Sequence, residues 1–368
     1  MMRKRPVKKK NDHLKHVTYK IQHDVRLTKE EGLKLLEIKN PDELLEIKEL
    51  ADHVRKKKTG ETVYFASTLF LYPTNLCELS CPFCSFYAKP GWKKAWFSTP
   101  LDIEKKIRSF PSDTFNEVHI VGGLWRECDL NYYQELFTRI KGIDEKIHIK
   151  ALTAVEYDFL AKLHGISIEN VLEKMISWGL GSLPGGGAEI LDEEIRPKLA
   201  PGKITSDEFL NIHKIAHKIG LRSNISMLFN HVETNEHIMN HLQMIRDCQD
   251  ETKGFKTFIP LKFGEEDNAL GRQKKRLNKK NVPLIFGVAR LFLDNIKHIK
   301  ALWNYLGVYE ALEILDWGAN DLSSTNHEEK VIDMAGGYKI NMDREMMGKL
   351  ILHKKRIPQY AHSGELPC

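Results

Sequence analysis

Three cysteines on one short segment carry the clearest chemistry in this sequence. Cys77, Cys81 and Cys84 are spaced as Cys-x₃-Cys-x₂-Cys, and they directly follow an apolar stretch that is typical of a strand. Three thiolates on one tight loop can bind three irons of a cubane cluster, and iron–sulfur clusters favour soft thiolate ligands. The fourth iron then has no protein ligand, so the spacing predicts a [4Fe–4S] cluster that is open to a small molecule.

Zinc is the alternative occupant of these thiols. Structural zinc usually takes four ligands in two separated pairs. His119 or Cys128 could supply a fourth ligand, but neither belongs to a second Cys-x₂-Cys or to a His-x₃-His motif. The net charge of +6 and two basic runs, Lys8–Lys10 and Arg272–Lys280, leave a zinc-dependent nucleic-acid-binding protein as the alternative of another class. Neither run contains an aromatic residue, so we interpret both as solvated segments and expect no nucleic acid.

The composition of the chain favours a cytoplasmic enzyme. Cys128, Cys248 and Cys368 are scattered, which is not the pattern of a disulfide framework and indicates a reducing compartment. No apolar run approaches the roughly 18 residues of a membrane helix, and no apolar core follows the basic start, as it would in a secretion signal. We therefore expect no contact with a membrane.

Short apolar stretches alternate with amphipathic helices along most of the chain. Strands are predicted at 64–72, 117–121, 147–152, 179–183, 222–228, 255–261, 298–303 and 312–316. Helices are predicted within 28–58, near 101–109, 130–142, 155–177, 206–219, 235–251, 283–296 and 304–311, and finally near 328–334. This alternation indicates parallel βαβ units, and eight strands close a barrel. The predicted fold class is α/β, a (βα)₈ TIM-type barrel, with an open doubly wound sheet as the alternative.

The same pattern divides the chain into three regions. They are a basic tail with an N-terminal helical extension at 1–60, the barrel at 61–335 and a C-terminal extension at 336–368. Thr28 and Glu31 form a capping-box signature at the start of the helical extension. In barrels of this type the functional groups gather where strands end and loops begin. We therefore expect the site at the carboxyl ends of the strands.

The cysteine motif resembles the signature of the radical S-adenosylmethionine (SAM) superfamily. That signature has an aromatic residue before the last cysteine, and Phe83 occupies this position. The resemblance implies that the open iron chelates the amino and carboxylate groups of SAM. It also implies that an electron, supplied by a donor such as flavodoxin or ferredoxin, cleaves SAM into methionine and a 5′-deoxyadenosyl radical.

Three further segments at predicted strand ends are similar to cofactor-binding segments of this superfamily. Gly122 and Gly123 match the glycines that receive the methionine group, and glycine lets a backbone approach a ligand closely. The segment that runs from Ser182 to Ile190 contains Glu189, which the resemblance assigns to the ribose or amino group. The strand with Pro260 matches the one beside the adenine. Without the resemblance, the three segments are an ordinary turn, a flexible loop with a helix start and a core strand.

From about residue 60 to 335 the chain resembles the radical SAM enzymes of menaquinone biosynthesis, and among them the aminofutalosine synthases. The segments that carry this resemblance are 119–124, 148–162, 179–201, 223–234, 298–307 and 316–325. The resemblance implies addition of the adenosyl radical to 3-[(1-carboxyvinyl)oxy]benzoate, loss of CO₂ or bicarbonate, and formation of 6-amino-6-deoxyfutalosine, with SAM consumed as a co-substrate. The alternatives on this scaffold are a cyclic dehypoxanthinylfutalosine synthase and a sulfur-inserting enzyme.

A substrate with two carboxylates needs cationic or hydrogen-bonding partners. The catalytic residues predicted at strand ends are Glu156, His231, Glu233, Asn320 and Asp321. Further candidates are Lys150, Thr153, Asn224, Thr234, Arg196 and Arg290. The other interpretation of such residues is helix capping. One departure from the relatives is Trp125-Arg126 in place of His-Pro, and there Arg126 or His119 is the candidate substitute.

Overall fold

The computed structural model of the chain describes residues 12–367, so the run Lys8–Lys10 and Cys368 lie outside the described residues. The strands in this range are β1 Thr62–Ala66, β2 Thr68–Leu71, β3 Glu117–Ile120, β4 His148–Ala151, β5 Leu180–Leu183, β6 Arg222–Phe229, β7 Phe255–Lys262, β8 His298–Ile299, β9 Asp321–Ser324 and β10 Ile357–Tyr360. Strands β2 to β8 form one parallel sheet in chain order.

This sheet closes into a barrel. β1 and β2 are successive segments of one strand that is interrupted at Ser67. β9 pairs with β1 at Tyr64 and Asp321, and the same Asp321 bridges Lys300 at the end of β8. Eight strand positions therefore complete a ring of parallel strands. The predicted (βα)₈ barrel is confirmed, and the open sheet is excluded.

The first three helices precede β1, and the others lie between successive strands. The helices are α1 Asp12–Gln22, α2 Lys29–Leu36, α3 Pro41–Thr59, α4 Pro100–Arg108, α5 Leu130–Ile143, α6 Ala154–His164, α7 Ile168–Ser177, α8 Arg196–Leu199, α9 Ser206–Lys218, α10 Asn235–Thr252, α11 Val282–Phe292, α12 Trp303–Leu306, α13 Val308–Ile314, α14 Val331–Met334 and α15 Arg344–His353. The single helix predicted at 155–177 is wrong, because Gly165 adopts the left-handed conformation and ends α6. No helix within residues 12–367 has the length and apolar character to cross a membrane.

The predicted eighth strand at 312–316 is also wrong. This segment is the end of α13 followed by a 3₁₀ turn at Leu315–Trp317, and the strand comes later, as β9. A short buried apolar run fits a helix and a strand equally well, because it is too short to show the periodicity of either. The error matters for the site, because Asn320 and Asp321 then lie at the amino end of a strand and not at its carboxyl end.

The chain beyond residue 335 adds to the barrel through β10, which pairs in parallel with β1 from Thr62 and Ile357 to Phe65 and Tyr360. β1 therefore has β9 on one edge and β10 on the other. The described residues that follow β10 continue across the amino end of the barrel. The division of the chain at residues 60 and 335 stays a prediction.

Candidate cluster and substrate site

All three cysteines of the motif line one cavity at the carboxyl end of the barrel strands. The cavity has a volume of about 270 Å³. Cys81 is buried, and Cys77 and Cys84 are half-buried. Burial raises the pKa of the Cys81 thiol to about 11 and also raises the pKa of Cys84. Among the predicted site residues, Phe83, Gly122, Gly123, Glu156 and Glu189 line the same cavity.

The cysteine loop is held by a lysine that the sequence did not single out. The Lys89 ammonium donates to the carbonyl oxygens of Cys77, Glu78 and Leu79 at 2.8, 2.8 and 3.1 Å. Lys94 donates to the carbonyl of Ser85 at 2.8 Å. Successive carbonyls that point at one ammonium fix the backbone of the loop, so the thiols do not depend on a bound cluster alone for their arrangement.

Glycine is required at Gly123 because the cysteine loop packs directly against it. A Cβ at this position would lie 2.1 Å from the carbonyl oxygen of Leu76 and 2.9 Å from the Cβ of Cys77. The Gly123 amide donates to the carbonyl of Thr74 at 2.9 Å, and the next amide, that of Leu124, donates to the Cys77 sulfur at 3.4 Å. The glycine thus admits the cysteine loop, whereas the resemblance assigned it to the methionine group of SAM.

Glu156 joins the turns that follow β3 and β4. It forms a capping box with Thr153, whose amide and hydroxyl donate to its carboxylate at 2.7 and 2.8 Å. The Gly122 amide donates to the other carboxylate oxygen at 2.9 Å. Burial raises the pKa of Glu156 to about 7. These contacts fix Glu156 at the cavity wall, and its catalytic role stays a prediction.

The glycine-rich turn after β5 brings a second charged residue into the cavity. Glu189 has a positive φ of 47° and accepts a hydrogen bond from the Lys203 ammonium at 2.5 Å. Burial lowers the pKa of Lys203, but the carboxylate of Glu189 outweighs this and leaves the pKa raised. The ammonium also lies 5.3 Å from the centre of the Phe83 ring. Sequence reasoning missed Lys203, because no motif distinguishes it from a surface lysine.

Arg196 holds this turn from behind. It is buried, and it donates to the backbone carbonyls of Gly187, Ala188 and Ile204. One side chain therefore fixes both the turn with Glu189 and the loop with Lys203. The candidate role of Arg196 as a direct substrate partner does not fit these contacts, since its guanidinium is engaged by the backbone.

A second cavity of about 180 Å³ lies in the lumen of the barrel and adjoins the first. Both cavities are lined by Val121, Thr153, Gly186, Leu261, Tyr305 and Val331. Polar side chains in the second cavity include Tyr72, His119, Lys150, Asn224, Lys300 and Glu329. A molecule in the lumen and a molecule in the cysteine-lined cavity would therefore contact the same residues and lie next to each other.

Two lysines of the second cavity are partly neutralised by carboxylates. The Lys150 ammonium lies 2.5 Å from a carboxylate oxygen of Glu117, and both residues are buried. Burial favours the protonated form of Glu117, but Lys150 holds the pKa of that carboxyl well below its usual value. Lys300 lies 3.2 Å from Asp321, and burial raises the pKa of Asp321. Each ammonium has three donors, so neither is saturated by its carboxylate alone.

Burial shifts the pKa of two other polar groups of the lumen in the direction that favours the neutral form. Burial raises the pKa of Glu329 to about 7, and this carboxyl accepts a hydrogen bond from the Tyr72 hydroxyl at 2.6 Å. Burial lowers the pKa of His119 well below its usual value, and its ring stacks on Phe70 at 4.9 Å. Of the two substitutes considered for the missing His-Pro, only His119 lines a cavity, because Arg126 pairs with Glu78 at the surface.

Two predicted cofactor residues line neither cavity. Pro260 lies on β7 between Ile259 and Leu261, which line the lumen, and alternation along the strand directs Pro260 to the opposite face. The Ser182 hydroxyl and the His148 ring share a hydrogen bond of 2.7 Å, and Ser182 lines neither cavity. We therefore replace Pro260 by its neighbours as cavity residues and assign no cofactor contact to Ser182.

Four predicted catalytic residues also lie outside the cavity walls. His231 and Glu233 are buried side by side. The Glu233 carboxylate accepts hydrogen bonds from the backbone amides of Asn230 and His231, each at 2.8 Å. Asn320 accepts from Arg290 at 2.9 Å and from the amide of Ile299 at 3.0 Å. Asp321 forms an ion pair with Lys300, and it is Lys300 that lines the lumen. The hydroxyl of Thr234 caps α10. Neighbouring groups thus engage these side chains away from the cavity walls, and their catalytic role stays a prediction.

The three thiols of the motif share one cavity wall, as ligands of one cluster would. Within residues 12–367 no three histidine, cysteine, aspartate or glutamate side chains form a group that could hold a metal ion. In a cubane cluster each thiolate binds a different iron, so its three ligands surround a larger volume than those of zinc. The three thiols line one cavity, where they could bind such a cluster.

Comparison with known proteins agrees with this assignment. Residues 71–245 match the Radical SAM superfamily, and residues 252–362 match the CofH/MqnC C-terminal region. The chain is 34% identical over 349 residues to the aminodeoxyfutalosine synthase of Thermus thermophilus. The matched residues are 93% of this chain and 92% of that relative. The chain belongs to the radical SAM superfamily. The predicted superfamily is thus confirmed, and its members use a [4Fe–4S] cluster and SAM.

Other radical SAM relatives differ in what their names say they do. The chain is 33% identical over 346 residues to the 5-amino-6-(D-ribitylamino)uracil–L-tyrosine 4-hydroxyphenyl transferase of Methanococcus maripaludis, with 92% of this chain and 96% of that relative covered. Among solved structures, methylornithine synthase (PylB) has a TM-score of 0.75 at 18% identity, covering 93% of this chain and 97% of that chain. That likeness confirms the fold. The relatives leave the substrate of this radical SAM enzyme open.

Replacing Lys89 with methionine is expected to weaken cluster retention in this radical SAM enzyme. The variant leaves three carbonyls without their donor, and a hydrogen bond to a charged group contributes about 1.5–3 kcal/mol. We expect a folded protein that loses iron roughly tenfold faster than the wild type under mild chelation. Lys93→Met, at an exposed neighbouring position, is the matched control. Equal rates of iron loss in both variants would contradict the role of Lys89.

Proposed function

We propose that this chain is an aminofutalosine synthase that joins the adenosyl group of SAM to 3-[(1-carboxyvinyl)oxy]benzoate, with loss of CO₂ or bicarbonate, to give 6-amino-6-deoxyfutalosine. One observation carries the proposal. The cavity lined by the three thiols shares several lining residues with a lumen cavity, and two lysines, Lys150 and Lys300, line that lumen cavity. The similarity to the Thermus thermophilus enzyme over most of both chains supports it.

The residues of the first cavity would hold the cluster and SAM. Cys77, Cys81 and Cys84 would be the cluster ligands. When bound, the cluster supplies the electron that cleaves SAM into methionine and the 5′-deoxyadenosyl radical. Glu189 and Lys203 offer a carboxylate and an ammonium on the same wall, which suit the amino and carboxylate groups of a zwitterion. A flavodoxin or ferredoxin as donor and a cytoplasmic location belong to the proposal.

The residues of the lumen would orient the benzoate. An ammonium has three donors, and among residues 12–367 Lys300 has an ion pair with Asp321 alone, so it can also bind a substrate carboxylate at the floor of the cavity. Ile259, Leu261 and Leu302 provide an apolar wall for an aromatic ring. A carboxylate anchored at Lys300 would leave the other end of the substrate at the wall that both cavities share. Such placement favours radical addition, because it presents the alkene and excludes water.

The second candidate function is a hydroxyphenyl transfer from L-tyrosine. The relative from Methanococcus maripaludis favours it through its identity over most of the chain. An amino acid brings an ammonium that needs an anionic partner, and Glu329 is a carboxyl of the lumen. This carboxyl already accepts the Tyr72 hydroxyl, and burial raises its pKa to about 7. The lumen therefore suits a substrate with two carboxylates better than a zwitterion.

A substrate panel tests the proposal. The protein is reconstituted anaerobically with iron and sulfide and supplied with SAM and dithionite. It is then offered the enol-ether benzoate, L-tyrosine with 5-amino-6-(D-ribitylamino)uracil, or dehypoxanthinylfutalosine, and the products are identified by mass spectrometry. We expect an adenosylated, decarboxylated product from the benzoate alone. A product from either of the other substrates, or only 5′-deoxyadenosine and methionine from the benzoate, would overturn the assignment.

Replacing Lys300 with methionine is expected to weaken substrate binding. The variant removes a charge-assisted hydrogen bond of about 1.5–3 kcal/mol, so KM for the benzoate should rise roughly tenfold or more, while iron content stays unchanged. Because the Lys300→Met change leaves Asp321 without its cation, the double variant Lys300→Met/Asp321→Asn separates loss of the substrate contact from stranding of the carboxylate. Lys300→Arg should retain most of the affinity. An unchanged KM in the single and double variants would exclude Lys300 as a substrate partner.

A further inference from the structure

Residues 361–367, here called the tail segment, cross the amino end of the barrel. The Ala361 amide donates to the carbonyl of Phe65 on β1 at 2.9 Å. The His362 ring stacks on His148 of β4 at 4.6 Å. The carbonyl of Pro367 accepts from His298 of β8 at 2.8 Å. The tail segment is therefore fixed to strands on different sides of the ring.

Ser363, in the middle of the tail segment, is bonded to the charged groups beneath the lumen. Its amide donates to Glu117 at 2.9 Å, and its hydroxyl accepts from the Lys150 ammonium at 3.1 Å. Its carbonyl, and that of Gly364, accept from Lys256 at 3.2 and 3.0 Å. Ser363 is buried, so these bonds are shielded from water.

The same charged groups form the floor of the lumen cavity. Lys150 lines this cavity, and so does Thr68, whose hydroxyl donates to Glu117 at 3.0 Å. Glu117 therefore receives bonds from the lumen side through Thr68 and Lys150, and from the outside through the Ser363 amide. One layer of side chains separates the tail segment from the space that would hold substrate.

We infer that the tail segment closes the floor of the substrate cavity, and that Ser363 is a positioning residue that sets the place of the Lys150 ammonium through Glu117. The inference rests on the proposed function only in taking the lumen as the substrate site, and it holds for any anionic substrate there. The amide of Ser363 orients the carboxylate, the carboxylate orients the ammonium, and the ammonium faces the cavity. The tail segment also keeps water from entering the lumen from the amino end, where it would compete for the lysines.

Variants of Ser363 separate these contacts. Ser363→Ala removes only the hydroxyl that accepts a hydrogen bond from Lys150. Ser363→Pro also removes the backbone N–H that donates a hydrogen bond to Glu117. We expect KM to rise a few-fold in the first variant and roughly tenfold or more in the second, with more 5′-deoxyadenosine released per product formed. Iron content and SAM cleavage without substrate should equal those of the wild type. Glu365→Gln is the matched control, because the position is exposed and glutamine keeps an oxygen that can accept the hydrogen bond from the His362 amide.

A second readout needs no substrate. Amide hydrogen exchange of the reconstituted protein should become faster in Glu117–Ile120 and His148–Ala151 of Ser363→Pro and stay unchanged in the strands farther from Ser363. Unchanged KM, product ratio and exchange in Ser363→Pro would overturn the inference, and so would a general loss of cluster and fold. If no panel substrate is turned over even by the wild type, the proposed function fails, while the exchange result still decides whether Ser363 holds the floor.

Discussion

Replacing Cys81 with alanine is expected to abolish cluster binding and SAM cleavage. Cys81 is the most buried of the three thiols that line the first cavity, and its neighbours Cys77 and Cys84 cannot replace a ligand that belongs to a separate iron. The variant should fold, because the barrel core does not depend on this thiol. Iron and sulfide per chain should fall to background after reconstitution, and neither methionine nor 5′-deoxyadenosine should form from SAM.

Cys128→Ala is the matched control for this variant. Cys128 is buried and free like Cys81, but it contacts neither cavity. It should bind the same amount of iron as the wild type and cleave SAM at the wild-type rate, with at most a modest loss of stability from the deleted sulfur. Full cluster content in Cys81→Ala, or loss of the cluster in Cys128→Ala, would contradict the ligand assignment.

Replacing Gly123 with alanine is expected to have the next largest effect. The added methyl group would lie 2.1 Å from a backbone oxygen of Leu76, so the cysteine loop must move. Overpacking of this kind costs about 1–3 kcal/mol, and a displacement of about 1 Å at a reacting site can cost roughly a hundredfold in rate. We expect lower iron content, weaker cluster absorbance and a loss of SAM cleavage of at least this size.

Gly142 provides the comparison that isolates this steric effect. It lies in α5 with a negative φ, and a Cβ there would meet no atom within 4 Å. Gly142→Ala should therefore stabilise the protein slightly, by about 0.5–1 kcal/mol, and leave the cluster intact. Normal cluster content in Gly123→Ala would show that the cysteine loop tolerates displacement, and it would remove the steric argument for this glycine.

The sequence predicted the parts of the site that depend on local spacing. The three cysteines, Phe83 and the glycine pair lie within short motifs, and their place after a strand follows from the motif itself. The barrel could be predicted because helices and strands alternate regularly. These features need no knowledge of contacts between distant segments.

The lumen could not be predicted in the same way. Its walls come from residues far apart in the chain, such as Tyr72, Lys300 and Glu329, and no local pattern says which of them face inward. A shift of one residue along a strand reverses the face, which is why Pro260 was placed beside the cofactor while Leu261 lines the cavity. The misassigned eighth strand likewise moved Asn320 and Asp321 to the wrong end of the barrel.

Contacts made by charged groups, or with them, were the other feature hidden from the sequence. Lys89, Lys203 and Ser363 lack any motif, and each acts through backbone or side-chain partners that only the fold brings near. Conversely, Glu233 and Arg290 resemble catalytic candidates because they are charged and near strand ends, but backbone groups engage both of them. Charge and position along a strand are therefore insufficient without the partners.

The fate of the adenosyl carbons tests the central claim most directly. The reconstituted enzyme is incubated with dithionite, SAM labelled with ¹³C in the adenosyl group, and unlabelled 3-[(1-carboxyvinyl)oxy]benzoate. If the lumen presents the alkene to the first cavity, the label and the benzoate ring will appear in one product that has lost a carboxylate. If all of the label is recovered in 5′-deoxyadenosine while the benzoate is unchanged, the two cavities do not carry out this addition.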